Sequence, residues 1–122
     1  MFDKVTTDNV EAADFWYCIT KKAKAKGIYS DKGFPVLAGS IINAVNLPSF
    51  APNFPKEAAE RLEKIRKSTR PIAEVQAELI EDLTSSSVSR ASGFCSGRAS
   101  NGWIDWKNSA GKTMDEIMRK SN

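Results

Sequence analysis

The sequence predicts a single α+β domain in which a small antiparallel or mixed β-sheet packs with two to four short helices. A run of aromatic and β-branched residues at 14–20 (DFWYCIT) is typical of a strand, whereas residues 55–68 carry apolar residues at helical spacing. The 122 residues contain no internal repeat and no linker long enough to divide them. We therefore expect residues 1–13 to form an N-terminal extension and residues 14–120 to fold as one domain.

The first strand is expected to lie in the middle of the sheet. Alternate side chains of a strand point to opposite faces, and in residues 14–20 both faces are apolar, which is typical of a strand covered on both sides. One face would carry Phe15, Tyr17 and Ile19, and the other Trp16 and Cys18.

Two further strands are predicted before the first helix, whereas a later segment fits two structures. Residues 33–40 (GFPVLAGS) and 41–45 (IINAV) are rich in strand formers and are separated at Gly39. Pro35 suits the start of a strand or an edge, because proline cannot donate to a sheet ladder. Residues 72–83 (IAEVQAELIEDL) match a helical stripe and a strand face, and periodicity alone does not separate them.

One longer helix is predicted to begin at residues 54–55. Proline suits the first helical turn, where Pro55 stands, and residues 69–71 (TRP) would stop the helix. The apolar residues between these points form a stripe that is expected to face the core. The members of that stripe are Ala58, Ala59, Leu62 and Ile65.

Two short helices are predicted nearer the C-terminus. Ser87 is a good N-cap for a helix through Cys95, which Gly97 would end. A last helix fits residues 113–120, with a basic C-terminal end that complements the helix dipole. Its inward-facing residues would be Met114, Ile117 and Met118.

The absence of histidine restricts what the domain can do chemically. Ser-His-Asp and Cys-His arrangements are excluded, and the side chain best suited to general base catalysis near neutral pH is missing. Cys18 and Cys95 alone cannot supply the four ligands of a structural zinc site, and we expect both to be small buried apolar residues. The sequence therefore predicts a protein without enzymatic activity, catalytic residues, metal or cofactor.

The compartment can also be predicted. No apolar run approaches the roughly 18 residues that a membrane span needs. The first residues (MFDKVTTDNVEAADF) are acidic where a secretory signal would have a basic start. We expect a cytoplasmic protein with no membrane partner.

Positive charge is concentrated near one predicted strand. The net charge is +3, but residues 20–32 alone hold five lysines and one aspartate. In an extended segment, Lys22, Lys24 and Lys26 would project from one side and the alanines between them from the other. Together with Lys21, this row could follow a phosphate backbone. The alternative is an edge strand or loop that lysine protects from aggregation.

Two tryptophans near the C-terminus have two interpretations. In a strand Trp103 and Trp106 would face opposite sides, whereas in a helix both would face the core. One interpretation has them packing against the helix that Ser87 caps. The other leaves Trp103 exposed to stack on a base, with polar neighbours that contact nucleic acid. Those neighbours are Arg90, Arg98, Asn101 and Lys107.

The C-terminal half carries a resemblance to a known family. Its elements are Ser87-Val88-Ser89-Arg90-Ala91, Gly97, Asn101-Gly102-Trp103, Trp106-Lys107 and Gly111-Lys112-Thr113, preceded by residues 23–40 (AKAKGIYSDKGFPVLAGS). In this order they look like an uncharacterised bacterial domain that is often attached to the C-terminal side of GIY-YIG nucleases and to restriction or methyltransferase subunits. The chain is also similar, more distantly, to the RAMA domain. It departs from the pattern at Val88, where the family usually has proline.

The resemblance implies a non-catalytic accessory module of restriction-modification or phage-defence systems. Such a module would bind nucleic acid, DNA rather than RNA, or read its modification, and would work beside a nuclease, a methyltransferase or another defence protein. The alternative is a protein-binding module, such as a phage or mobile-element protein that binds or inhibits a defence protein, or an assembly subunit. Its contact surfaces would be residues 46–54 and the acidic residues of 74–82.

Overall fold

The computed structural model describes residues 15–30 and 32–119, so the expected extension at residues 1–13 lies outside the described residues. Seven strands form one antiparallel sheet, and the helices pack against it, which confirms the predicted α+β class. The strands are β1 (Phe15–Ile19), β2 (Lys24–Ile28), β3 (Phe34–Val36), β4 (Ile41–Asn43), β5 (Thr69–Ala73), β6 (Gln76–Leu79) and β7 (Leu83–Ser85).

Helices lie between β4 and β5 and after β7. They are α1 (Phe50–Asn53), α2 (Pro55–Ser68), α3 (Val88–Ser96) and α4 (Gly102–Asp105), followed by a π-helical turn (Asp115–Arg119). Helix α3 begins and ends as predicted. The Ser87 hydroxyl accepts a hydrogen bond from the Arg90 backbone N–H, and Gly97 ends the helix in the left-handed region, with φ of 84°.

Strand β2 lies at the centre of the sheet and pairs with three other strands. Strand β2 pairs with β1 along one edge and with both β3 and β4 along the other, and these two pair in turn with β7 and β6. The bend between β3 and β4 is held by side chains. Ser40 Oγ accepts a hydrogen bond from the Lys26 backbone N–H at 3.0 Å, and the Asp82 carboxylate accepts one from Ala38 at 2.7 Å.

The core fills the space between α3 and one face of the sheet. Trp106 is fully buried, its ring centroid lies 4.5 Å from that of Phe34, and its Nε1 donates to the Val88 carbonyl at 3.0 Å. Helix α4 approaches α3 closely enough that a Cβ on Gly102 would lie 2.6 Å from the Ser89 backbone nitrogen. Trp103 lies in α4, whereas Trp106 follows the helix with extended backbone, and the indole of Trp106 packs on the serine-capped helix.

Helix α2 has the predicted position but turns a different face inward. Leu62 is 45% exposed and Ala59 is exposed, whereas Ala58, Arg61, Ile65 and Ser68 are buried. The predicted stripe was therefore wrong at two of its four residues. The reason is that the Arg61 guanidinium finds three oxygen acceptors beneath the helix, which apolar periodicity does not reveal.

Three other expectations are corrected or resolved. Strand β1 is not central among the described strands: within residues 15–30 and 32–119, its outer edge has only an isolated bridge from Tyr17 to Lys107. Residues 72–83 are strands joined by a turn, because they pair with β4 and with each other. The predicted last helix is a π-helical turn in which Met114 is buried and Met118 packs on the core, but Ile117 is 39% exposed. Residue 120 lies outside the described part.

The buried Arg61 joins three segments of the chain. Its Nε donates to the Phe94 carbonyl at 2.8 Å, Nη1 donates to Asn46 Oδ1 at 3.1 Å, and Nη2 donates to the Asn43 carbonyl. Burial lowers the pKa of the guanidinium to about 10, so it stays charged at neutral pH. Among the described residues it has no carboxylate partner. Neutral oxygens therefore compensate the charge.

Replacing this arginine should destabilise the fold. In Arg61→Leu, two backbone carbonyls and one side-chain amide oxygen lose their hydrogen-bond donor in the interior. The variant also no longer buries a charge, which offsets part of this loss. We expect the free energy of unfolding to fall by about 3 kcal/mol. Urea unfolding followed by circular dichroism measures this. Arg66→Leu on the exposed face of α2 is the matched control and should change stability little. Equal stabilities of the two variants would contradict the role of Arg61.

Candidate nucleic-acid interface

The face of the sheet away from the core carries aromatic and basic side chains side by side. Residues directly opposite each other in an antiparallel pair share a face. In β1 and β2 the outward-facing pairs are Phe15 with Ile28, Tyr17 with Lys26 and Ile19 with Lys24. The residues between them, including Trp16, Cys18 and Ala25, are buried in the core. The alternation of side chains along β1 and β2 therefore places one set of residues in the core and the other on the opposite face of the sheet, which we call the open face.

Lys26 contacts one aromatic side chain of β1 and is paired across the strands with another. Its Nζ is 4.2 Å from the ring centroid of Phe15, a cation–π distance, and its cross-strand neighbour is Tyr17. This contact holds the ammonium group over the sheet. It also leaves the ring of Tyr17 half-exposed beside a positive charge.

Lys107 extends the same row beyond the edge of the sheet. Its backbone pairs with Tyr17 through hydrogen bonds of 2.7 and 2.9 Å, so the two side chains share a face. Lys107, Tyr17 and Lys26 therefore follow one another across three neighbouring segments. We call the set Phe15, Tyr17, Lys24, Lys26 and Lys107 the open-face cluster.

Lys24 and Lys26 have the orientation that the sequence predicts, whereas Lys22 lies in the turn before the strand. Ala23 and Ala25 are 1% and 2% exposed, Lys22 and Lys24 are exposed, and Lys26 is half-exposed. Strand β2 pairs on both edges, so protection of a sheet edge does not explain its lysines. Lys21 and Lys22 lie in the exposed turn before β2 and extend the positive charge of the open-face cluster.

The charge of these lysines is not neutralised within the described chain. For residues 15–30 and 32–119, the ion pairs join Glu63 to Arg66 and Lys67, and Arg70 to Glu78. All of them lie on α2 or between β5 and β6. The lysines near β1 and β2 are therefore available to an anionic partner.

A hollow of about 420 Å³ borders the open-face cluster. The hollow lies next to Tyr17 and Lys107. A planar group that stacked on the tyrosine ring would therefore have room to extend past the edge of the sheet. The lining residues are Tyr17, Ile19, Asp105, Lys107, Asn108, Ser109 and Gly111.

The other residues proposed from the sequence lie elsewhere. Arg90 and Arg98 line a groove between α2 and α3 on the helical side of the sheet. The Asn101 side chain caps α4 by accepting a hydrogen bond from the Trp103 backbone N–H at 3.1 Å. The Trp103 ring is half-buried, with its centroid 6.2 Å from that of Tyr29. The structure thus gathers Lys24, Lys26 and Lys107 and separates them from the two arginines.

The aromatic members of the cluster were missed in the sequence. The sequence predicts a covered face for Phe15 and Tyr17, because both faces of the strand are apolar. The signal that distinguishes them is the neighbouring strand: β2 alternates small and basic residues, so only the alanine face can be in the core.

Neither cysteine is suited to nucleophilic chemistry. Burial raises the pKa of the Cys18 thiol to about 11 and that of Cys95 well above its ordinary value. In the part of the chain that the structure covers, no group of three acidic or cysteine side chains could hold a metal ion. No described helix is long and apolar enough to cross a membrane.

Comparison with known proteins identifies the family. The family model described as a domain of unknown function (DUF4357) matches residues 16–118. The chain belongs to this family, whose model spans the sheet, α2, α3 and α4. No curated protein and no solved structure gives a significant match.

The buried thiols should resist modification in the native state. Because the pKa of Cys18 is raised and Cys95 is fully buried, Ellman's reagent at pH 8 should label neither of the two cysteines quickly. In denaturant, where thiol pKa values return to about 8.5, both should react. Fast native labelling would show that the packing around β1 and α3 differs from this description.

Proposed function

We propose that the domain is a non-catalytic nucleic-acid-binding module that uses the open face of its sheet. Lysines of β2, the preceding turn and residue 107 would contact phosphates, and Phe15 and Tyr17 would stack on bases. The observation that carries the proposal is the row Lys107–Tyr17–Lys26, in which a half-exposed tyrosine has a lysine directly opposite it on each neighbouring segment. Stacking platforms flanked by positive charge are the usual means of binding single strands.

Single-stranded DNA is the favoured ligand. A sheet surface offers rings to unpaired bases, whereas the bases of a duplex are already stacked on each other. The resemblance to domains attached to GIY-YIG nucleases and methyltransferases, and distantly to the RAMA domain, favours DNA over RNA. It also favours a role in restriction-modification or phage defence in the cytoplasm, beside a nuclease, a methyltransferase or another defence protein. Recognition of a modified base is a more specific form of the same proposal.

Neutralising the lysines should weaken binding and reduce its salt dependence. We expect Lys24→Gln/Lys26→Gln to lower the affinity for a fluorescent single-stranded oligonucleotide and to reduce the slope of log K against log salt by about 1.4, since each lost phosphate contact removes roughly 0.7 for single strands. Fluorescence anisotropy across a salt series measures both quantities.

The matched control is Lys56→Gln/Lys67→Gln, which removes the same charge from the exposed surface of α2. It should leave the slope nearly unchanged. If both double variants lose affinity equally, the binding is a response to net charge and the assigned face is wrong. Absence of binding by the unmodified protein at low salt contradicts the proposal altogether.

Removing the tyrosine ring should affect single strands more than duplexes. Base–aromatic stacking contributes about 1–3 kcal/mol, so Tyr17→Leu should weaken single-strand binding about tenfold or more while duplex binding through the lysines changes less. Tyr29→Leu is the control, because that ring lies against Trp103 and not in the Lys107–Lys26 row. Equal losses on the two nucleic acids would argue against stacking by Tyr17.

A protein-binding module is the second candidate, and exposed apolar residues on α2 and before it favour it. Phe54 and Leu62 are 41% and 45% exposed. The acidic segment 74–82 contributes less, because Glu78 and Asp82 bond within the domain. This candidate includes a phage or mobile-element protein that binds a defence protein, or an assembly subunit. Partners kept in a pull-down after nuclease digestion, and lost in Phe54→Ser, would favour it.

A further inference from the structure

A groove of about 580 Å³ lies between α2 and α3, on the helical side of the sheet. This volume is within the range of small-molecule sites, and the groove is distant in the fold from the open-face cluster because the sheet separates the two. Helix α2, the segment before α3, the first turns of α3 and residues 98–100 form its walls. The proposed nucleic-acid binding by the open-face cluster uses none of these residues.

One wall of the groove is basic. Lys64 comes from α2, Arg90 from the first turn of α3 and Arg98 from the segment after it. Within the described residues none of the three makes an ion pair, and the only hydrogen bond of the Arg98 guanidinium is a long one of 3.4 Å to the Ala99 carbonyl. Two acidic residues, Glu57 and Glu60, also line the groove, which leaves basic groups in excess. The guanidinium groups are therefore free to bind an anion.

Hydroxyl groups lie beside these cations. Ser85 and Ser86 line the groove, and their hydroxyls make no hydrogen bond to any residue that the structure describes. Ser89 and Ser100 also line it but are engaged, with Gly102 and Ser92 respectively. Two arginines next to two available hydroxyls form a set of donors suited to the oxygens of a phosphate group.

Aromatic side chains also line the groove. Phe50 and Phe54 pack with ring centroids 5.7 Å apart, and Phe54 is 41% exposed. Phe94 of α3 is a third aromatic lining residue, with its ring centroid 5.6 Å from the guanidinium carbon of Arg61. An exposed phenylalanine beside a basic wall is suited to a ligand that is both planar and anionic. The Arg61 guanidinium also lines the groove, but it donates its hydrogen bonds to oxygens within the domain.

We propose that this groove binds a nucleotide, with the phosphate at Arg90, Arg98 and the free serine hydroxyls and the base against Phe54 and Phe94. Phosphate and base occur together in a free mononucleotide and in a nucleotide of a single strand, and the chemistry of the groove fits either source. The inference is independent of the open-face cluster, since no residue is shared.

Isothermal titration calorimetry with three probes tests whether the groove binds a nucleotide. We expect deoxyadenosine 5′-monophosphate to bind at least about tenfold more tightly than deoxyadenosine or inorganic phosphate, because only the nucleotide contacts both the basic and the aromatic side chains. Arg90→Gln/Arg98→Gln should weaken nucleotide binding at least about tenfold. The control Arg66→Gln/Lys67→Gln removes two charges from the exposed face of α2 and should have no such effect. Far-ultraviolet circular dichroism checks that each variant is folded.

The results distinguish this site from the open face and one source from the other. Binding lost in Arg90→Gln/Arg98→Gln but kept in Lys24→Gln/Lys26→Gln supports the groove, and the reverse pattern overturns it. The proposal is also overturned if the two arginines contribute neither to binding of deoxyadenosine 5′-monophosphate at millimolar concentration nor to binding of a single-stranded oligonucleotide, or if phosphate alone binds as tightly as the nucleotide. If the two arginines contribute only to binding of a single-stranded oligonucleotide, the groove holds a nucleotide of a strand; if mononucleotide competes, it holds the free ligand.

Discussion

The hydrogen bond from the Trp106 indole to the Val88 carbonyl determines where the C-terminal part of the domain lies. It fixes α4 on the first turn of α3, and the same ring packs on Phe34 of the sheet. The next residue in the chain is Lys107, which consequently lies beside Tyr17 at the edge of β1. A buried indole N–H needs a hydrogen-bond acceptor, and this requirement restricts how α4 can pack on α3. The position of one member of the open-face cluster thus follows from a core interaction.

Arg61 has the corresponding role on the other side of the core. Its three hydrogen bonds hold α2 against the C-terminal end of α3, against the last residue of β4 and against the segment that follows β4. Because the groove lies between α2 and α3, its shape depends on this buried charge. A lysine at this position would supply an ammonium group in place of the planar fork that reaches three acceptors at once.

Local patterns predicted most of the elements. The serine cap and glycine end of α3, the proline start of α2 and the alternation of lysine and alanine in β2 each determine a backbone preference within a few residues. What could not be predicted depends on contacts distant in sequence. Arg61 is buried only because oxygens of Asn43, Asn46 and Phe94 converge on it, and residues 72–83 become strands only by pairing with β4.

The candidate site divides in the same way. Lys24 and Lys26 could be placed on one face from their spacing, whereas the approach of Lys107 to Tyr17 joins residues far apart in the chain. The central claim is that nucleic acid binds across this face. Amide chemical-shift mapping of the labelled protein with a single-stranded oligonucleotide tests it most directly. The account predicts the largest shifts at Tyr17, Lys24, Lys26 and Lys107; shifts confined to α2 and α3, or none, would contradict it.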